Sequence, residues 1–206
     1  MNNIEFFHDA VCGWCYLLSP RLHEIARRFD VKIIHRCFVL ERNENDLAAR
    51  FVTLENAKIN ALKQWEQCKL FSENPSLINI EGMRQASFSY PCGLYAAIAA
   101  KAAEQLGGQR GHWRFFDAVQ YAHLYQNRNI SDIPVLLDVA ESVGFSKQTF
   151  INVMASRRTA NAVNKDNDRA VELGVRSVPS VLINERQLIS QTLSIEQLEA
   201  LFKARG

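Results

Sequence analysis

Long apolar runs are missing from this chain. No stretch of 18 consecutive apolar residues occurs among its 206, so no membrane-spanning helix is expected. An excess of charge is missing too: 24 Lys and Arg against 22 Asp and Glu leave a formal charge of +2, which gives no reason to expect nucleic acid as a partner. The opening Met1-Asn2-Asn3-Ile4-Glu5 has no basic n-region, apolar h-region or cleavage site, so export is not expected. A second C-x-x-C and an H-x(3–5)-H pair are absent as well. The remaining thiols Cys37, Cys68 and Cys92, and the histidines His8, His23, His35, His112 and His123, are scattered, so no metal is expected. An odd, widely spread set of five cysteines suits a reducing compartment better than a disulfide framework, and the expected location is cytoplasmic.

What is present is ordinary in bulk and specific in one place. The 48% apolar and 22% charged content is that of a globular protein, and the length accommodates one good core plus an insertion. Against that background stands Glu5-Phe6-Phe7-His8-Asp9-Ala10-Val11-Cys12-Gly13-Trp14-Cys15-Tyr16, an apolar run delivering two cysteines into a helical pattern. Positions i and i+3 on a first helical turn share a face, within the ~4.4–6.8 Å Cα separation that a disulfide spans. A helix start also stabilises an anion, which makes Cys12 the expected attacking thiolate and Cys15 the resolving thiol. Cysteines flanking Gly-Trp directly after a strand are poor core filler, so the inert reading is the weaker one. Asp9 and Glu5 precede the pair, and either could carry a proton for Cys15 if buried or be simply solvated at a strand end; Asp9 is kept as the candidate relay.

In chain order, Ile4 to Phe7 reads as a buried strand and Cys12 to Phe29 as a helix, with Pro20 inside it as a kink. Val31 to Leu40 reads as a second strand, too apolar for an exposed edge, and the intervening helix makes the two strands parallel. From Glu41 to about Arg158 the pattern is helix after helix. One long amphipathic helix is expected over 45–70, one over 92–106 stopped by Gly107-Gly108, one over 113–125, and two more capped near Asp132 and Ser146. Trp65, Cys68 and His123 are read as packing residues, and Ser87, Ser89 and Tyr90 as facing a substrate groove or water, with water preferred.

The second informative stretch is Gly174-Val175-Arg176-Ser177-Val178-Pro179-Ser180-Val181-Leu182-Ile183. A proline is tolerated at a strand's first residue, and a cis Val178–Pro179 bond fits there. Asn184-Glu185-Arg186 turns into a short strand, and Ser194 with Gln197 forms a capping box for a helix over 195–204. The ends therefore give β-α-β and α-β-β-α around a helical block: residues 1–40 and 159–206 as one discontinuous domain, 41–158 as an insertion.

With Cys12-Gly13-Trp14-Cys15 after a strand, Pro20 five residues on, and the Val178-Pro179 loop in that order, the chain resembles the thioredoxin superfamily. The helical insertion resembles the DsbA family, and Phe7 to Tyr16 is similar to its leaderless FrnE-like cytoplasmic branch. The resemblance implies an α/β thioredoxin fold with a large all-helical insertion, and thiol-disulfide exchange through Cys12 and Cys15. It implies that Gly13, Trp14, Val178 and Pro179 contact a protein or low-molecular-weight thiol substrate, Val178 offering its backbone as a strand edge. No resident cofactor is implied, although glutathione fits as a co-substrate. Gly13 departs from the proline usual in that branch and adds no charge, so a potential nearer the reducing end is expected. Two other readings are kept. The scaffold also resembles 2-hydroxychromene-2-carboxylate isomerases and kappa-class glutathione transferases, which need no resolving thiol, and the pair could serve a non-catalytic redox sensor or metal clip that governs a protein contact.

Overall fold

The computed structural model describes residues 2–203. A four-stranded sheet of order β2-β1-β3-β4 is formed by β1 (Asn3–His8), β2 (Lys32–Cys37), β3 (Ser180–Ile183) and β4 (Gln187–Ile189). β1 runs parallel to β2, with Ile4 opposite Ile33 and His8 opposite Cys37, and antiparallel to β3, with Ile4 opposite Ile183. A strand paired along both edges and covered on both faces has to be apolar, and Ile4, Phe6 and Phe7 are fully buried. Crossover helix α1 (Gly13–Phe29) starts at Cys12 and ends at Asp30, which takes a left-handed φ of 50°. Its Leu18, Leu22 and Ile25 pack on Ile4, Phe6 and Val181, together with Leu198 and Phe202 of the closing helix Ile195–Lys203.

Phe7 and Leu182 face the other side of the sheet, onto Ala170 of the helix Arg157–Glu172 and onto Val175. β2 is an edge by strand order, and the expectation that it is too apolar to be exposed has a specific resolution. The outward N–H groups of His35, Cys37 and Val39 donate to Gln109 Oε1 (2.7 Å), Asp166 Oδ2 (3.0 Å) and Asn167 Oδ1 (3.1 Å). Helix side chains thus occupy the place of a fifth strand, which satisfies the donors and blocks edge pairing.

The helical block comprises α2 (Glu44–Phe51), α3 (Leu54–Leu70), a 3-10 turn at Pro75–Leu77, α4 (Ile80–Gln85), α5 (Leu94–Leu124), α6 (Ile133–Ser142) and α7 (Lys147–Met154); the helix Arg157–Glu172 is α8 and the closing helix α9. One expectation is corrected here. The helix read across 45–70 is broken at Val52 (φ 74°), because the Thr53 hydroxyl accepts the Asn56 N–H and starts a new helix on the same apolar seam. Gly107-Gly108 interrupts the regular helix as expected: both are non-helical, Gly108 at φ 62°, and a second helical segment carries α5 on across the kink to Leu124. Past the kink the backbones close up, so that a Cβ on Gly111 would lie 2.5 Å from the Ala103 carbonyl oxygen. Trp65, Cys68, Met83, Phe115, Val119 and Phe150 form the core of the block.

The Ser194–Gln197 box is reciprocal, at 2.8 and 3.2 Å. The expected helix end at Ala204 lies outside the described residues.

Candidate active site

β1 ends by delivering Asp9-Ala10-Val11-Cys12 as a turn closed by the Cys12 N–H on the Asp9 carbonyl (3.1 Å). Cys12 then acts as the N-cap of α1, with Sγ accepting the Cys15 N–H at 3.4 Å. The same N–H also reaches the Cys12 carbonyl at 3.1 Å, so the first turn shares one backbone donor between that oxygen and the sulfur. From the opposite side Sγ meets the Val178 carbonyl at 3.6 Å, just before the cis Val178–Pro179 bond. Cys12 is 9% exposed and Cys15 is sealed, and both are unpaired thiols. Burial pushes the Cys15 thiol well above its ordinary range, and its neighbour Cys12 adds to the shift. One sulfur is reachable from outside and the other only through the first.

A groove of about 330 Å³ opens beside Cys12, with Trp14, Tyr90, Arg50, Arg176 and Val178 among its walls. The Trp14 indole N–H donates to Gln64 Oε1 at 3.2 Å, and its ring lies 5.9 Å from that of Phe71. Asp9 is buried, its carboxylate oxygens accepting the N–H groups of Val11 (3.2 Å) and Leu40 (2.8 Å). Burial outweighs those two donors and pushes its carboxyl up to about 7. It is close enough for its charge to act on Cys15. Glu5 is a different case: paired with Arg36 (2.7 Å) and Arg169 (3.0 Å), it braces the face of the sheet turned towards α8. Cys12, Gly13, Trp14 and Val178 thus meet at one groove, with Pro179 next in the chain and Asp9 behind the pair.

Over residues 3–203 the sequence matches the DSBA-like thioredoxin domain. The chain belongs to that family, whose chemistry is thiol-disulfide oxidoreduction. The ClpXP adapter protein SpxH of Bacillus subtilis is 26% identical over 93% of this chain, which spans 61% of SpxH's length. Among solved structures, a candidate protein disulfide isomerase of Nitrosomonas europaea superposes with a TM-score of 0.79 at 17% identity, covering 98% of this chain and 96% of that one. The cytosolic disulfide reductase DsbM of Pseudomonas aeruginosa, solved with GSH, gives 0.73 at 16%, covering 98% of each. A 2-hydroxychromene-2-carboxylate isomerase shares the fold at 0.66 and 13%, covering 98% and 93%. No helix among the described residues is long and apolar enough to cross a membrane.

In this DsbA-family chain the insertion holds the turn that carries the thiols, through residues that show no motif. Tyr90, expected to face water in preference to a groove, is buried at the groove wall: its hydroxyl donates to the Val11 carbonyl (2.7 Å) and accepts the Trp65 indole N–H (3.1 Å). Gln120 Nε2 donates to the carbonyl of Cys12 (2.9 Å). His123 is a packing residue as expected, within 3.2 Å of the Tyr90 hydroxyl.

Gly13 also has a physical cause in the insertion. A Cβ there would lie 3.1 Å from Cys68 Sγ, which is fully buried and has little room to give. Gly13→Ala should therefore cost about 1–3 kcal/mol, lowering the thermal midpoint by several degrees, and adding Cys68→Ala should recover part of that loss. Equal midpoints for Gly13→Ala and wild type would remove this explanation.

Proposed function

We propose that the protein exchanges disulfides with protein or low-molecular-weight thiol substrates, using Cys12 as the attacking thiolate and Cys15 as the resolving thiol. The observation that carries the reading is the asymmetry of the pair: Cys12 Sγ at the mouth of a groove and in contact with the Val178 carbonyl, Cys15 wholly enclosed. Cys12 attacks a substrate disulfide, one substrate sulfur leaves as thiolate, and the other remains bonded to Cys12. Cys15 then loses its proton, attacks Cys12 Sγ and releases the second sulfur, leaving a Cys12–Cys15 disulfide. Val178, with Pro179 behind it and Gly13 and Trp14 across the groove, aligns the substrate backbone. Arg50 and Arg176 on the groove walls suit the carboxylates of a small peptide thiol, so glutathione is assigned as co-substrate. The GSH in the DsbM structure and the adapter role of SpxH support, respectively, a small thiol and a protein partner. An odd, widely spread set of five cysteines supports a reducing, cytoplasmic setting.

The test is an insulin-reduction assay run beside an equilibrium titration of the pair against glutathione. Turnover with a reversible Cys12–Cys15 disulfide is expected. Glutathione binding without any redox cycle would instead move the protein to the isomerase and transferase class. Asp9 is assigned the proton of Cys15. Asp9→Asn should slow decay of the mixed disulfide by about a hundredfold while leaving its formation nearly unchanged, as followed by acid quench and mass spectrometry. Equal slowing of both steps would assign Asp9 to holding the turn instead.

A further inference from the structure

His8, His35 and His112 lie far apart in sequence, yet their rings converge inside the protein, where the redox chemistry uses none of them. His8 and His35 share one face of the parallel pair β1–β2, and His112 reaches them from α5, just past the glycine kink. His8 Nε2 is 3.2 Å from His35 Nδ1 and 3.2 Å from His112 Nε2, and the three nitrogens all lie within 4.8 Å of one another. His8 is 2% exposed, the other two not at all, and burial lowers the pKa of each ring.

Proton positions make this arrangement unusual. His112 Nδ1 faces the Glu104 carboxylate at 2.8 Å and so carries that ring's hydrogen, leaving a lone pair on Nε2 aimed at His8. His8 Nε2 holds one hydrogen at most and faces two nitrogens. Three neutral rings can fill only one of the two contacts with a directed hydrogen bond. His35 Nε2 is also one of four buried side-chain polar atoms that lack a partner among the described residues. Two nitrogens bound at ~2.0–2.1 Å to one tetrahedral ion sit about 3.3 Å apart, close to the two 3.2 Å separations found here. A carboxylate on the far nitrogen of a ligating histidine is the recurrent outer partner of such sites.

We propose that His8, His35 and His112 form a buried binding site for a divalent transition metal of the zinc class, with Glu104 orienting His112. Imidazole-only ligation suits Zn²⁺ and Co²⁺ and disfavours Mg²⁺ and Ca²⁺. The ion would tie β1, which leads directly to Cys12, to β2 and to the inserted helix α5. Sequence spacing gives no sign of it, because the ligands are 27 and 104 residues apart.

The test uses the full-length reduced protein, stripped with chelator and titrated with Co²⁺ and with Zn²⁺. One equivalent of Co²⁺ should produce visible d–d absorption without near-ultraviolet thiolate charge transfer. Zn²⁺ at a hundred times its dissociation constant should raise the thermal midpoint by roughly 5–10 °C. The Cys12→Ser/Cys15→Ser double variant, inactive under the reading above, should bind Co²⁺ as wild type does, which separates the two proposals. Glu104→Gln, which leaves all three ligands in place, should weaken binding by about 10–100-fold, and His35→Gln should abolish it. Absence of stoichiometric binding by wild type, a thiolate band, or loss of the metal in the double cysteine variant would each overturn the site.

Discussion

Cys15→Ser is expected to accumulate a stable mixed disulfide through Cys12, and Cys12→Ser to lose turnover by roughly three orders of magnitude or more, the scale on which removing a covalent nucleophile acts. The expectation follows from where the two sulfurs sit. Cys12 Sγ lies beside the groove with a backbone N–H directed at it, so a substrate disulfide can approach it. Cys15 has no route to substrate except across the bond that Cys12 has already formed, because it is fully buried and burial holds it as a neutral thiol. Serine at 15 keeps the volume and the helix but cannot displace a thiol from Cys12, so the first step proceeds and the second does not. Intact mass after incubation with a small disulfide reads both outcomes: a single adduct persisting on Cys15→Ser and none on Cys12→Ser. Near-wild-type turnover in Cys12→Ser, or adducts distributed over Cys37, Cys68 and Cys92, would remove the roles given to the pair.

The parts of this architecture that were legible in sequence are those written in local pattern. Ile4 to Phe7 reads as a buried strand because three apolar residues in four before a polar turn have few alternatives, and Cys12-Gly13-Trp14-Cys15 reads as a redox pair because spacing alone brings the sulfurs together. The proline at 179 marks a strand entrance for the same local reason. What was not legible depends on distant partners. A single apolar seam over 45–70 does not disclose a break at Val52, since both halves keep the same face inward and only the Thr53 cap separates them. Tyr90 looked like a loop residue facing water; its hydroxyl holds Val11, 79 positions away. The three histidines show the same limitation most fully, one each from β1, β2 and α5.

Asp166 belongs to that second group, and Asp166→Ala should be severely destabilising although the residue is remote from the thiols and sits in an unremarkable polar run. It is 2% exposed on α8 and meets Lys101 Nζ at 2.7 Å, Arg36 at 3.1 Å and the Cys37 N–H at 3.0 Å. Lys101 is itself 4% exposed, with Glu104 as its other anion at 2.7 Å. Removing the carboxylate leaves a buried ammonium with half its compensation and a strand N–H with no acceptor on the open side of β2. Breaking a buried pair from one side typically costs about 3–5 kcal/mol, so the thermal midpoint should fall by roughly 6–20 °C for a chain of this length. The half-exposed Arg36 contributes little to that figure, because water can take over its charge. Lys101→Met/Asp166→Leu supplies the decisive comparison. If the single-variant loss comes from the stranded charge, the apolar pair should recover much of it and leave mainly the cost of the orphaned Cys37 N–H, about 1–3 kcal/mol. A single variant within about 0.5 kcal/mol of wild type would mean that α8 holds β2 by apolar contact alone, through Ala170 and its neighbours.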